Sequence, residues 1–326
     1  MSYAYTTALA RLYKSQILTT GTVNELLESS NWRDAVSLLR EKGLISETPK
    51  TITEFQVYMK NRALQIISTV RNYTLPYKVV SSILDLYKYI IEIDDLETAI
   101  SATLTKSSGF QVYFLKEFSE FRPQSLEDIM STLKGIEKEG LKFALERASV
   151  KTSSVINTYL EYYFIYKLSN IIETLKGDWI TKAKEIICGY IDYYSALLAY
   201  KLHEQLPYAC KMSKELIRDL ANANSDKEAI EILSRSPYGK RISSTDVYYA
   251  FNTLKRIARV DARKASLNAF MGSPFTPVTV MALAELVRLD TEDIITIVNG
   301  LALIRDNKDR QKVLEDIKSL LSFELI

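Results

Sequence analysis

A chain of 326 residues, 47% of them hydrophobic, is long enough for two or three packed units, each with its own core. Its 42 basic and 40 acidic residues leave a net charge of +2, divided as +1, −1 and +2 over residues 1–110, 111–210 and 211–326; this balance excludes a nucleic-acid coat and a polyacidic tail, so partners must be recognised locally. With 10 glycines and 7 prolines, about 5% of the chain against ~12% in average usage, the sequence lacks the punctuation that strands and tight turns need, and an all-α fold is expected.

Met1 to Thr7 carries no basic region followed by an apolar core, so no secretory signal is expected and the chain should stay in the cytoplasm. Helix starts are predicted where a polar cap precedes an acid by three residues: Thr22 with Glu25, Ser125 with Asp128, Ser225 with Glu228, and Asp290 with Asp293. Ile83, Leu86, Tyr87, Ile90, Ile93, Leu96 and Ile100 advance in steps of three and four and predict one long amphipathic helix. Asp94, Asp95 and Glu97 sit on that helix but point in different directions, which suits solvated or capping acids better than a metal cluster. Breaks are expected at Thr74-Leu75-Pro76, Ser107-Ser108-Gly109, Arg122-Pro123, Asn222 to Ser225, Ser236-Pro237-Tyr238-Gly239 and Gly272-Ser273-Pro274.

Residues 135–142 imitate the start of a phosphate-binding loop, but Leu141 stands where that motif needs Lys followed by Ser or Thr, and Glu137 and Glu139 would face the phosphate. Tyr159, Tyr162, Tyr163 and Tyr166, and again Tyr190, Tyr193 and Tyr194, suit rings packed between helices, with partner surfaces as the alternative use. Cys188 and Cys210 match no zinc signature and read as two buried or idle thiols in a reducing compartment. His203, the single histidine, reads as a surface or helix-end residue rather than part of a triad or metal site. No cofactor, metal or catalytic set is expected.

Lys255, Arg259 and Arg263 are spaced by four residues and stack on one helix face, with Arg256 and Lys264 beside them. Such a stripe serves as a solvated face, a seat for an acidic protein partner or, without stacking aromatics, only poorly as a nucleic-acid site. Lys255, Arg256, Arg259 and Arg263 are therefore the candidate partner contacts, and reversing Lys255, Arg259 and Arg263 to Glu is expected to spare the fold while weakening assembly at low salt. Ala265 to Ala284 is charge-free over 20 residues, but Asn268, Gly272, Ser273, Pro274 and Pro277 unsuit it for a membrane span.

Shifting the sequence by about 100 residues aligns Ile83, Ala183 and Leu283, then Leu86, Ile186 and Leu286, then Tyr87, Ile187 and Val287, each stripe meeting an acid at Glu92, Asp192 and Glu292. Tyr89-Ile90-Ile91-Glu92-Ile93-Asp94-Asp95-Leu96 and Tyr190-Ile191-Asp192-Tyr193-Tyr194-Ser195-Ala196 carry a resemblance, together with an opening segment Tyr3 to Leu18 holding Arg11, Lys14 and Ser15 and a closing Gly272-Ser273-Pro274-Phe275-Thr276. In this order they resemble the family of C subunits of archaeal A/V-type ATP synthases, equivalent to the d subunits of the vacuolar-type ATPase. The family's pattern Asn is replaced by Asp95, Ser195 and Ile295. The resemblance implies three quasi-equivalent helical units, here residues 1–110, 111–210 and 211–326, arranged as a funnel or ring. It further implies a non-catalytic central-stalk component that couples the rotating shaft to the membrane rotor ring during proton or ion transport and ATP synthesis or hydrolysis. Partners would be other ATPase subunits, with no nucleic acid, no homo-oligomer, and a peripheral place on the cytoplasmic face of the membrane through the ring. A helical-repeat scaffold binding protein or RNA is the alternative.

Overall fold

The computed structural model describes residues 4–74, 77–107, 110–118, 122–206, 209–242, 244–272, 276–304 and 307–325. Among them are fourteen α-helices and no strand, as the scarcity of breakers predicts. They are α1 (Ala4–Lys14), α2 (Thr20–Glu28), α3 (Trp32–Glu41), α4 (Ile52–Thr74), α5 (Lys78–Thr105), α6 (Leu126–Thr132), α7 (Gly135–Arg147), α8 (Ser153–Ile172), α9 (Asp178–Leu202), α10 (Lys214–Ala221), α11 (Asp226–Ser234), α12 (Val247–Ala269), α13 (Pro277–Leu303) and α14 (Asn307–Lys318). The helices fall into two compact units, one of Met1–Met59 with Lys176–Ile326 and one of Lys60–Leu175.

In the second unit, α5 packs on α8, and α7 on both. Six members of its predicted stripe, Ile83, Leu86, Tyr87, Ile93, Leu96 and Ile100, are buried, while Ile90 is half-buried. Tyr87 meets Phe164 edge-on at 5.2 Å between ring centres, and Tyr89 meets Tyr163 at 5.7 Å. The Tyr89 hydroxyl donates to the Leu160 carbonyl at 3.1 Å, which fixes the ring where a Cβ on Gly140 would lie only 2.6 Å from it. The glycine of the phosphate-loop imitation therefore serves helix packing.

In the first unit, α9 and α12 cross closely, and a Cβ on Gly189 would come within 2.7 Å of the Ala258 Cα. A separate apolar cluster joins α2, α3 and the start of α4 to the end of α13 through Leu26, Leu39, Phe55, Met59, Ile297 and Leu301.

The helix-start predictions divide. Ser125 and Asp128 form a reciprocal capping box on α6, and the Ser225 hydroxyl accepts from the Glu228 N–H at 3.2 Å on α11. Helix α2, however, is capped three residues earlier, by Thr19. Asp290 and Asp293 lie inside α13, fully occupied by buried partners; a carboxylate three residues after another is a start signal only when the helix is not already running. The expected breaks at Asn222 to Ser225, Arg122-Pro123 and Ser236 to Gly239 fall between helices. Those at Thr74-Leu75-Pro76, Ser107-Ser108-Gly109 and Gly272-Ser273-Pro274 lie, beyond their first residues, outside the described residues, as do Tyr3 of the opening segment and Phe275 of the closing one. His203 ends α9 in the left-handed region at φ 54°, with its Nδ1 2.7 Å from the Ala221 carbonyl, a helix-end residue as expected.

Cys188 and Cys210 are joined as a disulfide with Cα atoms 5.4 Å apart, so the reading of two buried or idle thiols does not hold. The physical reason lies one turn along α9. Asp192, four residues after Cys188 and on the same face, accepts from the Cys210 N–H at 2.8 Å and brings the second cysteine onto the helix. Closing a 22-residue separation should stabilise the fold by about 3 kcal/mol. Scanning calorimetry should show a clear loss of melting temperature on reduction, reproduced by Cys188→Ser; equal melting of the two redox forms would show that Asp192 alone holds the loop.

Candidate functional site

The predicted cationic stripe lies on α12, but it does not share one exposed face. Arg259 and Arg263 are only 9% and 4% exposed and turn into the first unit, whereas Lys255 and Arg256 are half-exposed. The inward turn follows from α13, which carries Glu285, Asp290, Glu292 and Asp293 along the face it turns to α12 and the core. Arg259 binds Glu292 through Nη1 and donates from Nη2 to Asp293 Oδ1 at 2.6 Å. Arg263 Nη2 bridges Asp290 Oδ1 at 2.7 Å and Asp293 Oδ2 at 3.2 Å, and its Nε donates to the Ser322 hydroxyl at 2.7 Å. Arg288 donates to Glu285 at 2.8 Å, to Glu292 at 2.6 Å and to the buried Tyr190 hydroxyl at 2.6 Å. Backbone groups close the ends: Leu18 N–H donates to Asp290 at 2.7 Å and Ser322 N–H to Asp293 at 3.1 Å.

Four carboxylates and three guanidiniums thus form one continuous network that ties α9, α12, α13, the segment before α2 and the C-terminal residues 322–323. Burial opposes charge on Arg259 and Arg288, but Glu292 and Asp293 on the first and Glu285 and Glu292 on the second outweigh it and raise both. Desolvation pushes Glu292 up, yet Arg288 and Arg259 draw it down to about 2. Ionisation is least favoured at Asp290, which burial holds above the usual carboxylate range despite Arg263 and the Leu18 N–H, with Asp293 adding to the rise. Reversing Arg259 and Arg263 to Glu would put two more anions into this network, so the expectation that the triple reversal spares the fold is corrected. The signal was legible in principle: Glu285, Arg288 and Glu292 are complementary charges at spacings of three and four inside an apolar run.

Two further buried carboxylates organise loops. Asp95 accepts through Oδ2 from the N–H groups of Tyr113, Phe114 and Leu115. Asp192 accepts from Cys210, Lys211 and Met212, again 18, 19 and 20 residues downstream, and from the Tyr238 hydroxyl at 2.8 Å. The two acids are equivalent at a separation of 97 residues, so the register pairing Glu92 with Asp192 is one helical turn out. Apolar stripes slide past one another by a turn with little penalty, whereas an acid on the apolar face does not; Asp95 lies four residues from both Ile91 and Ala99 on that face.

Glu92 itself is half-buried, and desolvation pushes it up to about 7, with Lys88 working the other way and Glu137, Asp95 and Glu117 adding to the rise. A folded pKa above the unfolded value means that the stabilising contribution is present in acid and is lost as pH rises through about 7. Glu92→Gln should therefore raise the melting temperature at about pH 8 and change it little at about pH 5. An equal shift at both pH values would assign the effect to packing.

Beside the network, Asn252, Lys255, Arg256 and Arg259 from α12, with Glu292 and Leu320, line a pocket of about 350 Å³. The tyrosine groups are mostly packing residues: Phe143 stacks on Tyr166 at 5.0 Å, Tyr163 donates to Glu139 at 2.9 Å, and Tyr190, Tyr193 and Tyr194 are buried. Among the described residues no group of His, Cys, Asp and Glu is assembled as metal ligands, and no helix is long and apolar enough to cross a membrane.

The described residues form an all-helical framework whose buried charges are locked to one another. The family model of the ATP synthase (C/AC39) subunit matches residues 6–312, and the chain belongs to that family, a non-catalytic stalk component of A/V-type ATP synthases, in agreement with the resemblance read from its motifs. No curated protein matches the chain at a significant level.

Proposed function

We propose that the chain couples the rotating central shaft to the membrane rotor ring, so that torque passes between ATP synthesis or hydrolysis and the movement of protons or another ion. The family match over residues 6–312 carries this reading. The same proposal includes three quasi-equivalent units at 1–110, 111–210 and 211–326 in a funnel or ring, as the resemblance implies. It places the protein peripherally on the cytoplasmic face, held through the ring and without self-association. A locked charge network suits such a part, since an element that transmits torque must not yield internally.

Affinity capture of the tagged chain from detergent-solubilised native membranes should recover the ATP-hydrolysing head together with the rotor ring. Vesicles depleted of the chain should hydrolyse ATP without pumping ions, and adding it back should restore pumping. Recovery only in a soluble complex without ring components would favour the scaffold alternative.

A further inference from the structure

The pocket beside α12 holds two arginines whose hydrogen-bonding capacity is only partly used. Arg259, 9% exposed, commits both terminal nitrogens to Glu292 and Asp293, yet its Nε is buried with no acceptor. Arg256 donates from Nη2 to the Phe323 carbonyl at 3.1 Å, and its Nε is likewise buried with no acceptor. Desolvation lowers the Arg256 pKa, and neighbouring Arg241 lowers it further, with only Glu324 acting the other way. Buried donors are normally paired, so Arg256 and Arg259, three residues apart on one helix and both lining the pocket, are under-satisfied there, Arg256 the more so with a single backbone acceptor.

The character of the missing acceptor follows from its surroundings. Arg259 is neutralised by Glu292 and Asp293, so Lys255 and Arg256 are the cations that the lining adds to the locked network, and the ionised Glu292 disfavours a multiply charged phosphate. A volume of about 350 Å³ admits one or two side chains and is small for a nucleotide. Its lining includes Leu320, an apolar side chain left 50% exposed, of the kind found at protein interfaces.

We infer that this pocket seats a carboxylate side chain of an acidic segment from another component of the ATP synthase, with the Arg256 guanidinium and Lys255 as its donors. The identity of the partner rests on the stalk reading above; the acceptor chemistry does not. Arg256 fixes the carboxylate's orientation, because a planar guanidinium edge matches a carboxylate where an ammonium would not.

Rebinding of the purified chain to the remaining ATP synthase subunits, measured by interferometry, tests the pocket. The double variant Lys255→Glu with Arg256→Gln should bind at least tenfold more weakly at low salt, and a poly-glutamate peptide should compete with the unaltered chain. Lys142→Glu, an exposed site in the second unit, should bind as the unaltered chain does. Asn252→Glu provides a variant that need not lose stability: its own carboxylate, four residues before Arg256, should occupy the pocket, raise the melting temperature and weaken rebinding. Wild-type rebinding by both pocket variants overturns the inference while leaving the stalk reading intact. Phosphate or ATP binding that Lys255→Glu with Arg256→Gln abolishes, without competition by poly-glutamate, also overturns it in favour of a small-anion site. Failure of the unaltered chain to rebind any part of the ATP synthase removes the stalk reading instead; poly-glutamate binding to the isolated chain would then still support the acceptor chemistry.

Discussion

Replacing Arg263 by Met should cost about 3–5 kcal/mol of unfolding free energy, against less than about 1 kcal/mol for Lys255→Met on the same helix. Arg263 is the bridge between Asp290 and Asp293, anchors Ser322 through its Nε, and stacks its guanidinium 3.9 Å from the centre of the Phe323 ring. Methionine retains part of the packing volume but leaves four buried or half-buried carboxylates facing two guanidiniums. The pH dependence carries a sign. Asp290 is already held up by burial and loses the cation that opposes the rise, so its proton should be bound more tightly in the folded variant. The penalty should therefore shrink as pH falls from about 7 toward about 5, because the added folded-state protonation is favoured in acid. Urea unfolding at the two pH values measures both effects. If Arg263→Met and Lys255→Met were equally mild, the network would be ornamental and Arg263 exchangeable for any long side chain.

The sequence carried the helices because their determinants are local. Few breakers, a three-and-four stripe such as Ile83 to Ile100, and caps such as Ser125 with Asp128 act within one or two turns and survive whatever packs around them. The site was less legible because its determinants are pairings between distant segments. Lys255 to Arg263 looked like a solvated or docking stripe, since nothing within α12 reveals that Asp290 and Asp293 of α13 stand opposite. A charge on a helix is read by default as solvated, and only a partner from elsewhere in the chain reverses that. Cys188 and Cys210 show the same limit, for their spacing is uninformative until Asp192 is seen to draw the intervening loop back onto α9.

Asp95 and Asp192 do the same work with different atoms, and that difference predicts opposite tolerance to the same substitution. Asp95 takes all three loop N–H groups on Oδ2 alone, at 2.8 Å for Tyr113 and 2.9 Å for Leu115. An asparagine with its carbonyl oxygen in that position keeps every bond and loses only the strength contributed by charge, so Asp95→Asn should cost about 1 kcal/mol. Asp192 uses both oxygens: Oδ1 accepts from Cys210, and Oδ2 accepts from Lys211, Met212 and Tyr238. Whichever way an asparagine is turned there, its amide nitrogen faces a donor, leaving the part-buried Cys210 N–H or the three donors to Oδ2 unpaired, with donor set against donor. Asp192→Asn should therefore cost about 3 kcal/mol, even with the disulfide holding the loop end. Alanine at either site removes every acceptor, which should bring the two positions level again. Amide hydrogen exchange reads the result locally: residues 113–115 should stay protected in Asp95→Asn and open in Asp95→Ala, while residues 210–212 should open in both Asp192 variants. Protection of 210–212 in Asp192→Asn would show that the disulfide, rather than the carboxylate, fixes that loop.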